Sequence, residues 1–153
     1  MMNTIKRDHT MMKRLIRTEN VPMLVPRIIV GLIFLSEGIQ KYILPELVGT
    51  ERFAKIGFTH PEFWASFTAC FEITCGVLVL FGLLTRLASI PLLIVMATAF
   101  VTTKYPLVIE NGLWIFAHEY RIDFAMTMLL LLLIRYGGGK YSLDILLYDN
   151  PKK

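Results

Sequence analysis

Among the ionisable side chains inside the apolar stretches of this chain, one set stands out: Glu37, Lys41, Glu72, Lys104, Glu119, Arg121 and Asp123. If those stretches cross a bilayer, each charge near the centre costs at least about 2.5–3.5 kcal/mol, so such groups turn toward protein and find partners. Glu37 and Lys41 are four residues apart, which puts them on one helical face and lets them pair. Glu119 and Asp123 share a face for the same reason, whereas Arg121 points elsewhere and Lys104 stands near a rim. Four carboxyls against three cations leave one negative charge, which a proton on one carboxyl would balance. Two kinds of chemistry fit this set. One is a polar pocket that binds a ligand or handles protons, and the other is a set of ion pairs that fixes helix register and contacts between copies.

The elements that must position these groups follow from how the apolar residues are grouped. Apolar residues make up 55% of the 153 residues, and the mean hydropathy is +0.57. They fall into four stretches, at about 23–44, 63–84, 86–106 and 113–136. Each is close to the ~20 residues that a ~30 Å hydrocarbon layer requires of a helix. The run from Leu129 to Ile134 is apolar on every face, which no soluble bundle needs. The expected fold is all-α: an integral membrane four-helix bundle over 21–147, a basic tail over 1–20 and a short tail over 148–153. Counting from the outer end of each helix, Glu37, Glu72 and Asp123 all come to lie roughly 10–15 Å below the outer surface.

Lysine and arginine set the expected orientation. Eleven of them (Lys6, Arg7, Lys13, Arg14, Arg17, Arg27, Arg86, Arg135, Lys140, Lys152 and Lys153) fall on the side of the termini. Five (Lys41, Arg52, Lys55, Lys104 and Arg121) fall on the other, so both termini are expected in the cytoplasm. An outer belt of Tyr42, Phe63, Trp64, Tyr105, Trp114, Phe116 and Tyr120 agrees with that orientation. The first stretch reads as an uncleaved signal-anchor, because its apolar region is long and no small-residue cleavage site follows. Pro22 and Pro26 suit a first helical turn, and Pro91 is expected to kink the third helix. Gly137, Gly138 and Gly139 end the fourth, and SLDILLY is expected to lie on the inner surface.

Other chemistry finds little support. The net charge of +4 resides in tails and segment ends, and no basic groove or aromatic-basic motif points to nucleic acid. Cys70 and Cys75 are five apart on a helix and point away from one another, so they cannot form a disulfide. His60 and His118 lack metal-type spacing, and His118, Glu119 and Glu72 make a weak ligand set; no metal is assigned. Gly31 and Gly38 offer a smooth face for close helix packing. No phosphate loop, nucleophile elbow or nucleotide fingerprint is present.

RIIVGLIFLSEGIQK in the first span and FEITCGVLVLFGLLTRLASIPLLIVM across the second and third resemble the DoxX family of small bacterial membrane proteins. The exit GGGKYSLD, with Asp144, resembles the family's glycine-rich end, and ENGLWIFAHEYRIDFAM resembles one version of its fourth span. The resemblance covers Pro26 to Leu146. It implies a four-span protein of the bacterial inner membrane with both ends cytoplasmic, and it carries over Lys41, Glu72 and Arg86 as site candidates. Members resemble subunits or partners of membrane oxidoreductases, among them the DoxD subunit of a thiosulfate:quinone oxidoreductase.

Three functions remain. The first is a quinone-interacting or accessory subunit of a membrane redox system, with a buried charged pocket near the outer leaflet and quinone as its ligand. The second is a small-solute or ion transporter working as a dimer. The third is a non-catalytic scaffold that recruits an oxidoreductase. All three imply the lipid bilayer and either a second copy or a redox protein as partners.

Overall fold

The computed structural model describes residues 22–148. The basic tail over 1–20 and the last residues, 149–153, lie outside the described residues, and with them much of the charge count that sets orientation. Every regular element among the described residues is helical. The helices are α1 (Leu24–Ile43), α2 (Thr50–Ile56), α3 (Pro61–Phe81), α4 (Thr85–Ala99), α5 (Tyr105–Asn111), α6 (Leu113–Tyr136) and α7 (Leu143–Tyr148). A π-helical turn, Phe100–Lys104, joins α4 to α5, so this third long helix runs past Pro106 to Asn111. It also runs on through Pro91. Pro91, which has no N–H, removes one bond of the ladder, and the π turn is a second departure, where each N–H reaches one residue further back.

Two helices, Pro61–Phe81 and Thr85–Ile109, are long and apolar enough by length and composition to cross a bilayer. Charges disqualify α1 and α6 from that simple test, and three of them, Glu37, Lys41 and Asp123, line the candidate site. Large apolar side chains such as Val25, Ile43, Ile94 and Ile122 are exposed along the helices. Water would penalise that surface, whereas acyl chains solvate it.

α1 packs on α3 through small residues. A Cβ added at Gly38 would stand 2.7 Å from Ile73 Cγ1 and 2.9 Å from the Ala69 carbonyl, and one at Gly31 would stand 2.8 Å from Leu80 Cβ. Gly76 returns the contact from α3, because a Cβ there would meet the Leu35 nitrogen at 3.0 Å. The face that Gly31 and Gly38 form is therefore the seat of α3, and close backbone approach supplies the dispersion contacts that hold helices together in lipid.

All four long helices meet tightly at one end, called here the closed end. It lies where α1 begins, α3 turns into α4, and α6 stops. The core is there: Val30, Phe34, Cys75, Val79, Ala88, Leu92, Met126, Leu130 and Leu133 are buried together. A polar lock secures the same end. Arg27, 3% exposed, donates from Nε to the Val79 carbonyl (3.2 Å), from Nη1 to those of Gly138 (2.8 Å) and Tyr141 (3.0 Å), and from Nη2 to that of Leu80 (3.1 Å). The Val79 and Leu80 carbonyls in the last turn of α3 are thus reached by one fork of donors, Val79 also accepting from the Gly82 amide at 3.0 Å. Asp144 Oδ1 accepts from the Leu84 amide at 2.7 Å and so caps the first turn of α4.

The glycine run explains how the lock closes. A Cβ at Gly138 would fall 2.7 Å from Thr85 Oγ1 and 2.6 Å from Ser142 Cβ. Only glycine lets the chain pass so close, and Ser142 and Asp144 end up buried against the α3–α4 turn. The terminal SLDILLY segment is therefore a clamp with a buried polar side. Arg27, far away in sequence, holds the backbone just before it at Gly138 and Tyr141, and the Asp144 amide donates to the Gly82 carbonyl at 3.0 Å.

Toward the other end the helices part. In α4 no residue after Leu92 is buried, and in α6 none before Met126 is. The α1–α3 pair and the α4–α6 pair join at the closed end and diverge toward the open one, leaving a space between them.

Candidate functional site

That space is a cavity of about 600 Å³. α1 lines it with Ile33, Phe34, Glu37 and Lys41, a spacing of three and four that belongs to one face. α3 contributes Trp64, Phe67, Thr68, Phe71 and Glu72, and α6 contributes Ile122, Asp123 and Met126. α4 adds Pro91, Ile94, Val95 and Thr98, and the π turn adds Thr102, Thr103 and Lys104. One inserted residue rotates everything that follows it along a helix, and such bulges recur at functional sites. Here Lys104 closes the turn.

Two ion pairs organise the polar side. Lys41 Nζ is 2.6 Å from Glu72 Oε2, with the two side chains 10% and 4% exposed. Lys104 Nζ is 3.3 Å from Asp123 Oδ2 and donates to the Glu119 carbonyl at 3.1 Å. The helical spacing predicts a Glu37–Lys41 pair, whereas the structure pairs Lys41 with Glu72. The reason lies at Gly38, where a Cβ would come 3.1 Å from Glu72 Cβ, so α3 approaches closely enough to offer the better partner. Glu37 remains on the wall, half-buried, with no cation within 4.0 Å among the described residues.

The seven charges singled out in the sequence do not all converge. Glu37, Lys41, Glu72, Lys104 and Asp123 line the cavity. Glu119 is exposed, with Oε2 4.0 Å from Lys104 Nζ. Arg121 is exposed outside the cavity, with Nη1 3.0 Å from His118 Nδ1. Arg27, Gly137, Gly138, Gly139 and Asp144 belong to the closed end, and Arg86, half-buried in the first turn of α4, stands at that end too. Among the described residues, no group of three or more His, Cys, Asp or Glu comes together as a metal site.

Two parts of the site escape a reading by spans. The connector after α1 folds into α2, which brings Val48, Arg52, Phe53 and Ile56 to the cavity mouth. The signal is there in Gly49 and Gly57, which bracket the helix; Gly57 ends it in the left-handed region at φ 92°. Arg52 raises the cations of the cavity to three (Lys41, Arg52, Lys104), matching its three carboxyls (Glu37, Glu72, Asp123). The second part is a continuous aromatic wall. Phe53, Phe58, Trp64, Phe67 and Phe71 contact in series, with ring centroids 5.5, 5.9, 5.9 and 4.9 Å apart. Offset and tilted rings at such distances attract one another and present a flat, polarisable surface.

The arrangement is amphiphilic: stacked rings on one side and balanced ion pairs on the other. It can hold a flat, ring-bearing molecule whose polar atoms accept hydrogen bonds from the Lys41 and Lys104 ammonium groups.

A family model, DoxX, matches residues 23–105, a range that holds Glu37, Lys41, Arg52, Glu72 and Lys104. The chain is 44% identical over 138 residues to the "Uncharacterized membrane protein Rv3486" of Mycobacterium tuberculosis, covering 86% of this chain and 85% of that protein. It is 37% identical over 82 residues to the "Putative oxidoreductase CatD" of Bacillus subtilis, covering 53% of this chain and 58% of that protein. No solved structure matches the chain.

Proposed function

The chain belongs to the DoxX family of membrane proteins, and from that premise we propose that it binds the head group of a membrane quinone, as an accessory subunit of a membrane redox system. In this reading it crosses the bacterial inner membrane four times as a helical bundle. The closed end faces the cytoplasm and the cavity lies within the outer half. The lysine and arginine distribution supports that orientation. A fluorescent protein fused to the carboxyl end, which matures only in the cytoplasm, should fluoresce; a stable but dark fusion would reverse it.

The observation that carries the reading is the meeting of the aromatic wall with the Lys41–Glu72 and Lys104–Asp123 pairs in one cavity. Rings stack on the quinone plane, and Lys41 Nζ and Lys104 Nζ donate to its oxygens. Reducing a quinone to its quinol takes two electrons and two protons. A partner oxidoreductase supplies the electrons. The lysines hold protons against the ring oxygens, and the paired carboxylates neutralise the ammonium groups in a site of low dielectric. The oxidoreductase name of the Bacillus relative supports a redox setting. Saturable quenching of Trp64 fluorescence by added quinone is the test, and failure to saturate would overturn the reading.

Transport is less well supported, because the closed end is filled by Val30, Val79, Leu92, Leu130 and Leu133, each fully buried. A solute entering the cavity meets this packed core before it meets the other side.

A further inference from the structure

Resting on the quinone-site reading, we propose that the cavity opens sideways into the lipid between α3 and α4, and that this seam admits a quinone and houses its apolar tail.

The seam is shut at one end only. Gly82, Leu83 and Leu84 form the tight turn that joins the two helices, and Val79 and Ala88 are buried beside it. Farther along, burial on α4 stops at Leu92. Beyond that point five residues of the two helices both line the cavity and are exposed: Trp64 (38%), Phe67 (46%), Phe71 (37%) and Ile94 (61%), with Thr98. A side chain that belongs to an interior wall and to the outer surface at once marks a rim. Because α3 and α4 lead the two long apolar helices, this rim faces acyl chains rather than water.

The chemistry of the rim selects the occupant. Its edges are aromatic and aliphatic but for Thr98, whose hydroxyl donates to the Ile94 carbonyl, and the Lys41–Glu72 pair is buried within the cavity wall. A molecule seated there has its polar head inside and its apolar part crossing Phe71 and Ile94, which matches a quinone with an isoprenoid chain. A water-soluble solute gains nothing at such an edge. The opposite seam, between α1 and α6, has Ile33 and Ile122 at its edges. The ring-stacking wall lies on α3, however, and ends on Phe71, so a head group stacked there projects its tail toward α4.

The test compares a tailed quinone with its tailless ring, each titrated against the wild-type chain, Ile94→Trp and Ile122→Trp in lipid nanodiscs, with thermal unfolding as the readout. Both positions are exposed, so both variants keep the fold. Ile94→Trp should weaken the tailed quinone at least about ten-fold more than the tailless ring, and Ile122→Trp should affect the two quinones alike. If Ile94→Trp weakens both alike, or neither, while the wild type binds both, the seam is not the door. Selective loss in Ile122→Trp instead would move the door to α1–α6 and overturn the assignment. If neither quinone shifts the wild type, the head-group site itself fails, and the door with it.

Discussion

Replacing Glu72 by leucine should cost the protein about 3–5 kcal/mol of stability, because it strands the Lys41 ammonium in a nearly closed site without its anion. The Lys41 side chain is one-tenth exposed and its partner oxygen is 2.6 Å away. Removing both charges is a different experiment. In Lys41→Leu/Glu72→Leu no unpaired charge remains, the volumes are similar, and stability should return to within about 1.5 kcal/mol of the wild type. The non-additivity of this cycle measures the coupling between the two groups. It also separates structure from function. If the pair merely sets the register of α1 on α3, the double variant should still bind quinone. If Lys41 Nζ donates to the quinone, the double variant is stable and blind to it. Unfolding midpoints with and without quinone, read on all four proteins, decide the matter.

Arg27 should prove still less replaceable. Its guanidinium serves four carbonyls, on Val79, Leu80, Gly138 and Tyr141, from a side chain 3% exposed. Each carbonyl left without a donor costs about 1–3 kcal/mol. The losses are not independent, but a total above about 4 kcal/mol is expected, enough to unfold a marginal protein. Arg27→Leu should fail to accumulate in membranes. Arg27→Lys is the more informative variant. A single ammonium cannot reach four acceptors arranged as a fork, so it should accumulate but unfold far below the wild type. A lysine variant with an unchanged midpoint would show that the lock carries little of the stability. Asp144 then becomes the residue to change, since it ties the same clamp to the start of α4.

The two variants touch opposite ends of the molecule, and the sequence speaks of those ends unequally. Apolar runs long enough to span a bilayer become long helices because length and periodicity are local properties. Counting residues inward from a helix end sets Glu37, Glu72 and Asp123 at one level, and all three line one cavity. What local spacing cannot tell is which neighbour wins. Glu37 is four residues from Lys41, yet Glu72 takes it, because Gly38 lets α3 come close. Arg27 reads in sequence as one more positive charge on the side of the termini. Its four acceptors lie 52 to 114 residues away, so only the packed chain reveals them. Arg52 is hidden for a related reason. It stands in a connector, and the turn of helix that aims it at the cavity is held by its contacts with α3. The π turn before Lys104 has no composition of its own.

The measurement that addresses the quinone site most directly uses the two tryptophans of the chain. Trp64 stands on the cavity wall, and Trp114 is 85% exposed. In a Trp114→Phe protein reconstituted in nanodiscs, all tryptophan emission comes from Trp64. A quinone bound against the aromatic wall should quench that emission along a saturating curve, and Lys41→Leu/Glu72→Leu in the same background should lose the saturation. Quenching that rises without limit as quinone accumulates in the lipid, identical in both proteins, would mean that quinone only collides with Trp64 and that the cavity is no quinone site.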